Sequence, residues 1–218
     1  MATNGSSSGI VPAVDTSAAV PEASAAEDLY DGLYVEGDPG QHQDRADEVV
    51  KGVREVLADF GFDDALQGVY FTNGTGKNKD DQASMNGQGD LKIMKSALEN
   101  LDASGYSVAD TYHGLGTHEA GHTVVYELIK RRVMPGASKL AQSNARKSQK
   151  LEKAVIKEAA KRFGSNPKIS DYGSTKFAEK VAEAVSDVYS HGSNAKAYSK
   201  VIVEVLKDIN SGKYKPKI

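Results

Sequence analysis

The chain runs to 218 residues, 39% of them hydrophobic and 26% charged, which suits one globular domain with a substantial core. It contains no cysteine, excluding a disulfide scaffold, a thiolate metal site and a cysteine nucleophile, so any metal must be held by His, Asp and Glu. The net charge of −3 conceals a division, with 8 Lys+Arg against 22 Asp+Glu in residues 1–130 and 19 against 8 in residues 131–218, read here as two halves that compensate one another.

Residues 1–26 are mostly Ala, Ser, Gly, Val, Pro and Thr, and lack the basic start and continuous apolar stretch of a secretory signal. They read as a flexible low-complexity arm. Residues 27–40 are acidic, carry Leu29, Tyr30, Leu33 and Tyr34 as docking side chains, and close at a Pro-Gly turn signal. The expected organisation is an arm and acidic linker over 1–40 and one folded domain over 41–218. No apolar run reaches the length of a membrane-spanning helix, so no membrane partner is expected.

Ala46, Val49, Val50, Val53, Val56, Leu57 and Phe60 recur at helical spacing and predict an amphipathic helix over 42–60 that ends before Gly61. Val69–Thr72 reads as a strand, Asn73–Asp90 as a polar loop, and Leu91–Met94 as a second strand. Helical patterns follow over 116–132, 143–163, 173–190 and 194–210. A helix, a few strands and then mostly helices imply an α+β fold with a small mixed sheet.

The residues that carry chemistry are His118-Glu119-Ala120-Gly121-His122, an H-E-x-x-H sequence at the start of a helical pattern. Positions four apart share one helix face, so both imidazoles can meet one cation, while Glu119 can reach a water beside it without ligating. The helix continues through Thr123, Val124, Val125, Leu128 and Ile129, which can bury it and lower the effective dielectric around the site. Thr117 reads as its N-cap. Of the remaining histidines, His42 and His191 read as helix-terminal residues, and His113 is not assigned to the site.

A catalytic zinc site needs a third protein ligand and an open position. Val125 and Leu128 stand where a third histidine would follow at short spacing, so a carboxylate from a later helix must serve. The helix at 173–190 offers Glu179, Glu183 and Asp187 on one face, with Phe177, Val181, Val185 and Val188 roughly opposite. Alone, an acidic row bordered by Lys176 and Lys180 would be a solvated face.

The stretch Tyr172-Gly173-Ser174-Thr175-Lys176-Phe177-Ala178-Glu179-Lys180-Val181-Ala182-Glu183 is similar to a pattern in zincins related to anthrax lethal factor. It also resembles one in metallopeptidase-like proteins of bacteriophages and prophages. The resemblance covers residues 113–190 and implies a zincin-like metallopeptidase domain of gluzincin type. It makes His118, His122 and Glu179 the ligands of Zn²⁺, Glu119 the general base, Tyr172 the oxyanion donor and Glu183 the residue that orients a ligand histidine. Gly173, Lys176, Val181 and Val185 depart from the family's usual residues without removing a chemical group. A competing register resembles the ligand helix of thermolysin-like peptidases, with Glu183 as ligand and Asp187 behind a histidine. The first register is favoured because it alone gives Tyr172 a role.

The resemblance further implies zinc-dependent endopeptidase activity on a protein or peptide substrate, with phage structural proteins as candidate partners. The implied location is cytoplasmic or virion-associated. Its alternative is a zincin-like structural module of a phage particle or mobile element with little turnover. By analogy, Leu91–Met94 is the expected edge strand for substrate pairing. A third reading rests on Arg146, Lys147, Lys150, Lys153, Lys157, Lys161 and Arg162 of helix 143–163, a basic face for nucleic acid or an acidic protein. The absence of interleaved aromatics disfavours nucleic acid.

Overall fold

A computed structural model of the chain describes residues 28–73, 82–101, 104–137 and 145–218. The arm at 1–26 and the first residues of the helix expected from 143 lie outside the described residues. Four strands form one sheet: β1 (Tyr34–Glu36), β2 (Gly68–Thr72), β3 (Ala83–Met85) and β4 (Asp90–Met94), in the order β1-β2-β4-β3. β1, β2 and β4 run parallel, whereas β3 is antiparallel to β4 with Met85 opposite Leu91. Six α-helices complete the described fold: α1 (Gln43–Asp59), α2 (Lys95–Glu99), α3 (Tyr112–Leu128), α4 (Ala145–Phe163), α5 (Phe177–His191) and α6 (Ala197–Asn210). The architecture is therefore mostly helical α+β with a small mixed sheet, and no described helix is long and apolar enough to cross a membrane.

Three expectations about the sheet change. The acidic segment expected as linker contributes β1, with Leu29, Tyr30 and Leu33 packed against the core and the Tyr30 hydroxyl donating to Asp47 at 3.0 Å. The polar stretch expected as loop contains β3. A three-residue strand is too short to show alternation, and the turn signals around it close the β3–β4 hairpin. There Asn86 Oδ1 accepts from the N–H groups of Gln88 and Asp90, and Gly89 adopts φ 91°. Finally, β4 lies inside the sheet between β2 and β3, so β3, and not Leu91–Met94, is the edge beside the helices.

α3 is the hub of the fold. It packs most extensively on α1 and α5, and nearly all of its residues are buried. It begins four residues before the expected position: Thr111 Oγ1 caps it by accepting from the Gly114 N–H at 2.9 Å. Thr117, expected as the cap, is instead a buried internal residue whose hydroxyl donates back to the Gly114 carbonyl. The glycines that look like a turn are helical, and Gly116 lies where α1 crosses α3. A Cβ at Gly116 would fall 2.0 Å from the Val49 carbonyl oxygen. At its far end α3 passes into a π-helical turn, Ile129–Val133.

α5 is also shorter at its start than expected, because Tyr172–Ser174 form a separate 3-10 turn before it. The two charged halves do compensate in part, through Lys207 with Asp59 at 2.6 Å and Arg131 with Asp64 at 2.6 Å.

Gly116→Ala tests the close helix crossing. Forcing a methyl against the Val49 carbonyl should cost about 1–3 kcal/mol, read as a fall in melting temperature of about 2–4 °C per kcal/mol for a chain of this size. An unchanged melting temperature contradicts the packing.

Candidate metal centre

His118 and His122 lie one turn apart on α3, their ring centroids 5.1 Å apart and their planes nearly perpendicular. Across from them, Glu179 projects from the first turn of α5. Its Oε2 lies 3.5 Å from His118 Nε2 and 3.4 Å from His122 Nε2. One donor atom from each of the three residues falls within 4.8 Å of the others. The helices come this close because Gly121, inside the motif, carries no side chain. A Cβ there would sit 2.8 Å from the Cα of Ala182, one turn along from Glu179.

Glu179 Oε2 is buried and has no hydrogen-bond partner. A buried carboxylate oxygen left this way is costly, and 3.4–3.5 Å is too long for a good hydrogen bond to imidazole. Those separations do match roughly 3.4 Å, the edge of a tetrahedron whose corners lie about 2.1 Å from a central zinc ion. The donor set thus fits a divalent cation of zinc's preferences: two imidazoles, one carboxylate and no thiolate.

Glu183, the next acidic residue along α5, is fully buried on the other side of the His118 ring. His118 Nδ1 donates to its Oε1 at 2.9 Å, which turns Nε2 toward Glu179 as the nitrogen that a cation would meet once its proton is displaced. Ser107 Oγ donates to the same oxygen at 2.5 Å, and the Val108 N–H donates to Oε2 at 2.8 Å. Burial alone would raise the Glu183 carboxyl, but the hydrogen bonds from His118 and Ser107 hold it below its usual range.

In the competing register Asp187 would stand behind a ligand histidine. Instead it accepts from His191 Nδ1 and from the Lys196 N–H, both at 2.9 Å, and stabilises the turn into α6. The geometry therefore groups Glu179, and not Glu183, with the two imidazoles as donors that could share one ion. The acidic row, which taken alone would read as a solvated face, is buried throughout, at 8%, 0% and 3% exposure for Glu179, Glu183 and Asp187.

Tyr172 stacks on His118 with centroids 5.7 Å apart, and on its far side meets Tyr106, whose carbonyl accepts from the Tyr172 N–H at 3.0 Å. Burial and the neighbouring Glu179 charge raise its hydroxyl well above the ordinary tyrosine range, so it stays protonated as a donor. Glu119 is buried, and one of its oxygens accepts from the Met85 N–H of edge strand β3 at 3.0 Å. All six residues singled out from the sequence thus converge on one place.

His113 does not: it pairs with Glu55 at 2.8 Å, and His42 sits at the start of α1. The residues not anticipated are Met85, Ser107 and Val108, which act mainly through main-chain or short polar groups, and Glu152 of α4. Burial raises the Glu152 carboxyl, and its charge interacts with His122 and Glu179. No protein-family model, curated protein or solved structure matches this chain.

Among the protein groups alone, burial opposes a charged His118 ring, but the Glu179 and Glu183 carboxylates outweigh it and lift its pKa to about 10. Below that pH the ring holds a proton that an entering cation must displace. Zinc titration of metal-depleted protein at pH 7 in buffers of different ionisation enthalpy should therefore show release of about one proton per ion; an enthalpy independent of buffer contradicts this. Glu179→Ala should abolish stoichiometric zinc binding, whereas Glu183→Ala should weaken it about 10–100-fold. The reverse ranking would reinstate the other register.

Proposed function

We propose that the protein is a zinc-dependent endopeptidase. The observation that carries the reading is the Glu179 oxygen, buried without a hydrogen bond and almost equidistant from two imidazole nitrogens, with Tyr172 stacked on His118 and Glu119 buried beside that histidine in α3. His118, His122 and Glu179 would hold the cation, whose contribution is Lewis-acid polarisation of the scissile carbonyl and of the attacking water.

The rest falls to the chain's own groups. Glu119 takes the proton from the water as it attacks the carbonyl carbon, then delivers it to the departing amine nitrogen, so the proton balance closes over the cycle. The Tyr172 hydroxyl donates to the oxygen on which negative charge develops. Glu183 fixes the His118 ring in the tautomer that leaves Nε2 free. β3 supplies an edge on which an extended substrate could pair beside the site.

The second reading, a structural module with little turnover, draws on the bond from Met85 to Glu119. In that reading Glu119 serves as an anchor between α3 and the sheet. Glu119→Gln separates the two, because the amide oxygen still accepts from the Met85 N–H while the side chain can no longer act as a base. The variant should keep its melting temperature and zinc content and lose cleavage of a broad peptide library by at least about 10²-fold. Undiminished cleavage removes Glu119 from the mechanism, and a wild-type protein that loads zinc but cleaves nothing supports the structural module. Tyr172→Phe should lower kcat by about 10²–10³ with little change in KM.

A further inference from the structure

Beside the metal centre a groove of about 880 Å³ runs between α4 and the segment from Asn166 to Lys180. Its walls approach the centre through Ala178, next to the ligand Glu179, and through Glu152, whose charge is felt at His122. Its lining is strongly basic. Lys150 and Lys153 of α4 and Lys176 before α5 are exposed and have no ion-pair partner among the described residues. The acidic lining residue, Glu152, is only 6% exposed, and burial pushes its carboxyl toward the neutral form.

The deepest cation is Lys180. It is 9% exposed, its Nζ donates to Asn166 Oδ1 at 2.7 Å and lies 5.2 Å from the centre of the Tyr198 ring, and it has no carboxylate partner among the described residues. A buried ammonium satisfied only by neutral groups is an incomplete electrostatic arrangement, and an anion supplied from outside completes it. The groove is far larger than a single carboxylate needs, and Gly173, Phe177 and Ala178 add apolar surface along it, which fits a side chain carried on an extended polypeptide.

Resting on the peptidase reading above, we infer that this groove is a specificity subsite for an acidic side chain of the polypeptide substrate, whose carboxylate pairs with Lys180. Lys150, Lys153 and Lys176 in its lining favour the approach of that carboxylate, and the lining reaches Ala178, the residue before Glu179. The unpaired part of the basic C-terminal half therefore has a use that compensation by the acidic half does not provide.

The test measures binding and cleavage separately. A fluorescein-labelled peptide of alternating Glu and Ala, and its Gln/Ala counterpart, are titrated by anisotropy into the zinc-loaded full chain carrying Glu119→Gln. The Glu peptide should bind at least about ten-fold tighter, the size expected of charge-assisted hydrogen bonds, and the advantage should shrink with added salt. Lys180→Met should remove the preference. Because that variant replaces a buried residue, the exposed pair Lys150→Glu/Lys153→Glu is the second arm and should weaken the Glu peptide by about ten-fold while leaving the Gln peptide unchanged.

Equal affinity for the two peptides, or a preference that survives both sets of substitutions, overturns the proposal. So does tighter binding of a single-stranded oligothymidylate that depends on the same lysines, which would assign the groove to nucleic acid. Digestion of a peptide library by the wild-type chain addresses the underlying reading. Cleavage without enrichment of Asp or Glu near the scissile bond overturns the groove assignment alone, whereas an intact charge preference with no cleavage overturns the peptidase reading alone.

Discussion

A carboxylate oxygen with no hydrogen bond, held inside the protein between two imidazole nitrogens, is the constraint on which the rest of this structure depends. Solvent does not relieve it, because Glu179 is only 8% exposed where α5 packs on α3. The remaining relief is a positive charge among the three groups. A proton on His118 supplies it in part, and a divalent cation supplies it to all three donors at once, at separations suited to tetrahedral coordination.

The surrounding fold serves this arrangement. Glycines at 116 and 121 let α3 approach α1 on one side and α5 on the other, which fixes the distance between the paired imidazoles and the acidic residue. The segment after α2 contributes little core, yet it orients the site. Ser107 and Val108 hold Glu183, Glu183 holds His118, and Tyr106 backs Tyr172. β3 performs two tasks, closing the sheet against α3 and engaging Glu119 through the Met85 N–H. Hydrogen bonds that lock ligand and base in place reduce the reorganisation that a polar reaction would otherwise require.

Much of the centre was legible in the sequence because its information is local. Two histidines four apart share a helix face by geometry alone, and Glu179 and Glu183 are one turn apart for the same reason. Helices α1, α4 and α6 also follow from apolar periodicity. What escaped is non-local or carried by the main chain. The bond from Ser107 to Glu183 spans 76 residues, and the Met85 N–H has no side-chain signature. Gly114 and Gly116 looked like a turn before α3 because their use lies in close packing, Gly116 on α1 and Gly114 beside Ser190 of α5, which periodicity does not encode. Lys180 looked like a solvated lysine at the border of an acidic row, and only the fold shows it buried against Asn166 and Tyr198.

The most direct test of the central claim is X-ray absorption at the zinc K-edge on protein loaded with one equivalent of the metal. The account predicts four light-atom neighbours at about 2.0–2.1 Å, with the multiple-scattering pattern of two imidazoles, in a zinc shell that Glu179→Ala does not form. A zinc shell without imidazole scattering, or failure of the protein to retain one equivalent of zinc, would contradict it.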